Sequence, residues 1–337
     1  MTYAISLDPV RLYCTLPVAP YFRREFARVG ASAPRVRIRY VDAGNPPRDV
    51  LIERHGQQFT LVLEGASERR FTRSMRRTVC AYAYWLSLCP PEVVRITVNA
   101  SDGDMASNAR FAASVRFPGH VGLPDPHFFQ YHGFAAALEA GKSAPRWEDR
   151  SDDVVWRGGM NGCGWVSFSP QDVDNPAVLQ RLRMAMRLKG MPGVDVRIVD
   201  VGPAAADFAA LAIRQGLLGN PMAAQSWLGR KFAIDIDGYS NTWSNLLVRM
   251  HYGCCVLKVE SQFGFRQWYY DELKPFEHYV PVSADMADLA EKIEWVRSRD
   301  SEAKAIARRA QALARTLTFE TQARRAVAII EAHWAQE

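Results

Sequence analysis

The chain has 337 residues, 48% hydrophobic and 23% charged, which suits about two domains with substantial cores and argues against intrinsic disorder. No apolar run approaches the roughly 20 residues that span a bilayer. The opening MTYAISLDPV has neither the basic nor the apolar region of a secretory signal, so a cytoplasmic location is expected.

In chain order, RVRIRYVD (35–42) alternates as a strand, and residues 49–65 read as two strands around a His-Gly-Gln-Gln turn. Residues 68–88 look helical and stop at Pro90-Pro91. VVRITVNAS (93–101) reads as a buried strand running into the polar loop SDGD, and RFAASVRF (110–117) as another strand. The Gly-, Pro- and aromatic-rich stretch 119–150 ends in GKSAPRWEDRSDD, which reads as an interdomain linker. Residues 1–150 hold 20 basic and 14 acidic side chains, whereas 151–337 hold 22 of each, so the whole net charge of +6 lies in the first half. Arg69, Arg70, Arg73, Arg76 and Arg77 are the densest part of it. Singly they are solvated helix charges; as a cluster they suit an anionic partner such as a phosphorylated substrate or a lipid surface. No nucleic-acid-binding motif is present.

The second half alternates more regularly. Strands are expected at 153–159, 194–201, 231–238, 254–260 and 278–282. Helices are expected at 179–189, about 243–251, 265–273 and 286–297, with further helix over 301–335. This order points to an α/β fold with a parallel sheet covered on both faces. Cys14, Cys80, Cys89, Cys163, Cys254 and Cys255 form no C-x-x-C pair and no zinc spacing. Cys254 and Cys255 fit a core strand.

In such a sheet, ligands bind beyond the carboxyl ends of the strands. Two loops qualify. WRGGMNGCG (156–164) could bring backbone N–H groups to a phosphate, with Arg157 as its cation; an ordinary Gly-rich turn is an equal reading. In DGYSNTWS (237–244), Ser240, Asn241 and Thr242 can cap the following helix, whose free N–H groups could receive a diphosphate. Asp235 and Asp237 match D-x-D, as do Asp102 and Asp104, but two carboxylates at a buried strand end do not make a metal site, and none is expected.

Trp156-Arg157-Gly158, KFAIDIDGYSNTWS and VLKVESQF…WYYDELKPFEHYVPVSADMADLAEKIEW together resemble glycosyltransferase family 90, with LKPFEHYVPV the most specific part. That family contains Rumi-type protein O-glucosyltransferases, capsule-associated xylosyltransferases and bacterial lipopolysaccharide-modifying enzymes, and the chain looks most like the last of these. The resemblance covers the second half well and the first half faintly.

It implies an α/β GT-B fold: two Rossmann-like domains facing a cleft, with C-terminal helices crossing both. Residues 1–150 would then hold the acceptor and the base, residues 151–300 a UDP-sugar, and 301–337 would pack across the domains. It implies an inverting, metal-independent transfer, with no cofactor beyond the donor. The donor site would comprise Arg157, Gly158, Gly159, Asp237, Gly238, Tyr239, Ser240, Asn241, Thr242, Trp243, Ser244 and the ribose-binding candidate Glu260. VNASD loosely matches the family's base motif and places the base at Asp102, with Asp104 as competitor. The family's Ser-Phe-Arg reads Thr242-Trp243-Ser244 here, so its phosphate-binding arginine is absent; Arg181 or Arg183 could substitute. His278, Asp125 and His127 are further candidates, the last two for the acceptor side. The acceptor implied is a bacterial surface glycan or glycolipid, with a phosphorylated one suiting the basic first half, reached at the inner membrane face. The rivals are a protein O-glycosyltransferase and a non-catalytic nucleotide-sugar-binding protein.

Overall fold

The computed structural model describes residues 18–64, 73–201 and 206–336, which divide into two units: unit 1 comprises residues up to Gly133 and from Phe319 onward, and unit 2 is Phe134–Thr318. Cys14, Arg69 and Arg70 lie outside the described residues.

The first described element of unit 1 is helix α1 (Val18–Arg28), for which the sequence pattern predicts no helix. Phe22 and Phe26, one turn apart, supply its buried face, and Glu25 is buried between Arg24 and Arg28, each 2.8 Å away. Strands β1 (Arg35–Val41), β2 (Asp49–His55), β3 (Gln58–Glu64), β4 (Arg95–Asn99), β5 (Phe111–Ala112) and β6 (Val121–Gly122) form one sheet in the order β1-β3-β2-β4-β5-β6. It is mixed. The β2–β3 hairpin puts β2 antiparallel to both neighbours, while β1–β3, β4–β5 and β5–β6 are parallel. Helix α2 (Arg73–Leu88) buries Tyr82, Tyr84 and Trp85, and the Arg54 guanidinium donates to the carbonyl of Leu86 in its last turn and to those of Cys89 and Pro90 just beyond it, at 2.8–3.2 Å. The strand expected over 110–117 shrinks to two residues, because β6, its outer neighbour, offers only two to pair with. Helix α3 (Pro126–Gln130) follows.

Unit 2 contains α4 (Ala135–Lys142), β7 (Ser151–Gly159), α5 (Gln180–Arg187), β8 (Val194–Asp200), α6 (Ala206–Arg214), β9 (Arg230–Asp235), α7 (Asn245–His251), β10 (Cys255–Val259), β11 (Val280–Val282), α8 (Leu289–Ser298) and α9 (Asp300–Thr316). Its five strands are all parallel, in the order β11-β10-β9-β7-β8. Every residue of β10, Cys255 included, is buried, as a strand covered on both faces must be; burial also pushes both the Cys254 and Cys255 thiols up. The winding goes outward from β7 to β8, then returns to the other side of β7 for β9, β10 and β11. The reversal point therefore lies between β7 and β9, where the loops leaving the two strands diverge and open a crevice.

Three expectations change. The segment 141–153 is not a linker between units. Trp147 is buried and its indole N–H donates to Asp300 at 2.9 Å, which ties the stretch into unit 2. Residues 265–273 hold a single 3-10 turn at Tyr270–Glu272 in place of a helix. Trp268, Tyr269 and Tyr270 are all buried in succession, which a helix with one buried face cannot provide. The C-terminal helix is two: α9 packs on α7 and β10 within unit 2, and α10 (Phe319–His333) packs on α2 within unit 1. Among the described residues no helix is long and apolar enough to cross a membrane.

Candidate functional site

The two glycine-bearing loops meet at the reversal point. Gly158 must be glycine because the Trp156 ring folds over it: a Cβ there would sit 2.3 Å from that ring. Gly162, at φ +144°, brings its loop so near the other that a Cβ would lie 3.2 Å from the Gly238 carbonyl oxygen. Between them is a pocket of about 240 Å³ lined by Gly158, Asn161, Arg181, Gly238, Thr242 and Trp243, among others.

Arg181, at the start of α5, lines this pocket. Its Nε donates to the Asp237 carbonyl at 2.8 Å, Nη2 to that of Ile236 at 3.2 Å, and Nη1 to that of Gly159 at 3.3 Å and to the Asn161 side chain. One half-buried guanidinium thus staples the ends of β7 and β9. Burial lowers its pKa to about 10, against the pull of Asp237 and Asp235, so it stays charged at neutral pH.

Arg157 is also among the residues lining this pocket, but its guanidinium takes a different course from the one expected. It folds back along the sheet to pair with Asp195 and donates to the carbonyls of Asn220 (3.1 Å), Trp156 (2.9 Å) and Asp195 (2.7 Å). Arg183 also points elsewhere, to the carbonyls of Val173 and Asp285.

The second loop does not cap its helix. Helix α7 starts at Asn245, two residues later than expected, and the residue before it, Ser244, makes no side-chain cap. Thr242 instead donates to Asp235 at 2.5 Å, Asn241 donates to the Phe265 carbonyl at 3.1 Å, and the buried Ser240 hydroxyl has no hydrogen-bond partner among the described residues. Trp243 sits at φ +47°, a strained setting for a large aromatic, and lines the pocket beside the half-exposed Tyr239.

Behind this loop lies a buried charge cluster. Asp235 accepts from Thr242, from Asn245 at 2.8 Å and from Lys258 at 3.4 Å, and the Lys258 ammonium rests 4.4 Å from the Tyr270 ring centre. Both oxygens of Asp235 are therefore engaged by the protein. Asp237 is less well served. One of its oxygens has no partner among the described residues, and burial raises its pKa to about 6 despite Lys258. The folded-state pKa stands above the ordinary aspartate value of 3.8, so ionisation opposes folding. The protonated form's contribution is complete below about pH 4 and is lost as pH rises through about 6. Asp237→Asn is therefore expected to raise stability by about 1–3 kcal/mol at pH 7.5 and by little at pH 4.5. Denaturant melts at the two pH values check this; an equal effect at both would contradict it.

A larger pocket, about 650 Å³, lies beyond the carboxyl ends of β10 and β11. The exposed Glu260 stands at its edge with Ser261, Tyr279 and Ser283. LKPFEHYVPV forms one wall as a tight turn. The His278 Nδ1 accepts from the Lys274 N–H at 3.1 Å, and Phe276 adopts φ +59°. His278 is thus a fastener of the turn, and burial lowers its pKa.

In unit 1, Asp102 lies three residues beyond β4, in a loop pinned by Asn99, which accepts from the Ser101 N–H at 2.7 Å, and by Ser101, which accepts from the Gly103 N–H at 3.0 Å. Burial and then Asp104 raise its pKa, while Arg77 and Arg48 oppose the rise. Arg77 donates to the His127 ring nitrogen at 2.8 Å. Burial and then that guanidinium hold His127 down to about 4, so its ring is neutral. Asp125 does not line an acceptor surface: it is fully buried as the N-cap of α3, accepting from the His127 and Phe128 N–H groups at 2.7 and 2.9 Å. The arginine run is divided too, for Arg76 is buried over the Tyr21 ring.

Sequence reasoning did not single out Asn161, Lys258 or Ser261. A lone lysine inside the apolar run CCVLKV was the available signal for the buried pair.

Residues 211–321 match the sequence profile of Glycosyl transferase family 90, the family that the motifs resemble. Uncharacterized protein 179R of Invertebrate iridescent virus 6 is 31% identical over 183 residues, which are 49% of this chain and 15% of that protein. Protein O-glucosyltransferase 2 of Danio rerio is 46% identical over 86 residues, 26% of this chain and 17% of that one. The chain thus spans less than a fifth of the length of these curated relatives. The sucrose-phosphate synthase of Thermosynechococcus elongatus overlaps 95% of the chain at 12% identity and a TM-score of 0.42, a loose likeness on which no residue role rests.

Proposed function

We propose that the chain is an inverting, metal-independent glycosyltransferase that moves a sugar from a UDP-sugar to a hydroxyl of a bacterial surface glycan or glycolipid of lipopolysaccharide type. The observation that carries this reading is the pairing of the 156–164 and 237–244 loops at the reversal point of a parallel sheet, where such sheets place their ligands. The family match begins before the second of these loops and runs through LKPFEHYVPV.

In this reading the pocket beneath Arg181 receives the diphosphate, whose charge grows as the sugar leaves. Arg181 supplies the fixed positive charge that the family's arginine supplies elsewhere. Of its five N–H groups, four meet protein acceptors, and one on Nη2 remains for a phosphate oxygen. The 650 Å³ pocket takes the remainder of the donor, with Glu260 as acceptor for ribose hydroxyls. Asp102 removes the proton from the attacking hydroxyl.

A second reading has a protein side chain as acceptor, and the names of the animal relatives favour it. UDP release from a panel of UDP-sugars, with and without a chelator, tests the shared core. At least one donor is expected to be turned over, unaffected by chelation. Tight UDP binding with no turnover of any donor, whether an extracted glycan or a folded protein is offered, would favour a binding protein instead.

A further inference from the structure

Unit 2 (134–318) holds 23 basic and 22 acidic side chains and is nearly neutral in sum, yet its fold separates the charges. A pocket of about 390 Å³ is lined by Lys142, Arg146, Arg150, Lys304, Arg308 and Arg315, against the single acid Glu148. It lies at the amino-terminal edge of the sheet: Arg150 directly precedes β7, and Gly253, also in the lining, precedes β10. That is the edge opposite the loops at the reversal point.

Helix α9 explains how the sequence builds it. Ala303, Ile306, Ala307, Ala310 and Ala314 face the core. Lys304, Arg308, Gln311 and Arg315, spaced by four, three and four residues, form a stripe on another face. Gly253 in the lining follows the carboxyl end of α7, whose free carbonyls would repel an anion. They are already satisfied: Arg150 donates to Tyr252 and Gly253 at 3.0 and 2.8 Å, and Gln311 donates to His251 at 2.8 Å. Lys142, Arg146 and Lys304 are each paired, with Glu139, Asp149 and Glu148. Arg308 and Arg315 form no ion pair with any described carboxylate and are exposed. The pocket therefore keeps a positive surplus on its open side after local neutralisation is complete.

We propose that this pocket is a second anion site, separate from the donor pocket, which binds a phosphate-bearing ligand through Arg308 and Arg315. Guanidinium groups offer paired donors matched to phosphate oxygens, and two of them on one helix face, two turns apart, suit a group with more than one charge. Such a group is carried by a soluble polyphosphate or by the headgroups of an anionic lipid surface.

The test uses the full chain with UDP saturating, so that the donor pocket does not report. Pyrophosphate binding is followed by titration calorimetry at low salt. Co-sedimentation is measured with vesicles of phosphatidylcholine, with and without phosphatidylglycerol. The wild-type chain is expected to bind pyrophosphate or the anionic vesicles. The Arg308→Glu, Arg315→Glu double variant should bind at least about tenfold more weakly, with its UDP affinity unchanged. The milder Arg308→Gln, Arg315→Gln variant should show a smaller loss in the same direction, and it decides the matter if charge reversal unfolds the chain. Binding confined to vesicles assigns a lipid headgroup, and binding confined to pyrophosphate assigns a soluble phosphate. Equal binding by wild type and both variants, or none by wild type to either probe, overturns the site.

Discussion

Replacing Asp102 with asparagine is expected to lower sugar transfer by about 10²–10⁴-fold while leaving UDP affinity unchanged, because the proposed base and the proposed donor loops belong to different units. The asparagine is close in size and keeps the loop's shape, but it cannot take a proton from the acceptor hydroxyl. The pH profile adds a readout that a purely structural role would not move. Burial and Asp104 raise the Asp102 pKa, so the rate should climb with pH as the carboxyl ionises. Asp104→Asn removes the like charge and should shift that limb to lower pH. Arg77→Gln removes an opposing cation and should shift it to higher pH. An Asp102→Asn chain that transfers at close to the wild-type rate would remove Asp102 from the reaction. In that event Asp104, two residues on, is the next carboxylate to test.

The parallel sheet of unit 2 was legible because hydrophobic strands and helices alternate there with regular spacing, and the strand order then gave the two glycine-bearing loops a common location. What could not be read was direction. Nothing in WRGG says that Arg157 turns back to Asp195, since that depends on a carboxylate arriving from β8, 38 residues later. Nothing in SNTWS says that Thr242 serves Asp235 rather than the helix, because the buried Asp235–Lys258 pair forms only when β9 and β10 lie side by side. In unit 1, α1 carries Pro20 within its first turn and is short, so its Phe22 and Phe26 face was not recognised as a helix. The charge surplus was misjudged in the same way. Sequence arithmetic assigns it to the first half, while packing buries Arg76 there and brings Lys142, Arg146 and Arg150 of the first half beside Lys304, Arg308 and Arg315 of the neutral second half.

Arg181 is where the cost of a wrong side chain should be greatest. Replacing it with alanine leaves the carbonyls of Gly159, Ile236 and Asp237 and the Asn161 side chain without their shared donor. Each acceptor stranded in a buried site costs about 1–3 kcal/mol, less whatever water recovers. The two loops should then part and UDP affinity should fall by about 100-fold, with a lower melting temperature. Lysine separates geometry from charge. It restores the positive charge but has no planar fork to reach four acceptors at once, so Arg181→Lys should regain thermal stability in part and remain at least about tenfold weaker for UDP. If lysine restored full UDP affinity, charge alone would be what the diphosphate requires. If alanine bound UDP as tightly as the wild-type chain, the pocket beneath Arg181 would not be the diphosphate site. The lost bonds would still lower the melting temperature, so stability and UDP affinity together distinguish a staple that shapes a binding site from one that only holds two strands together.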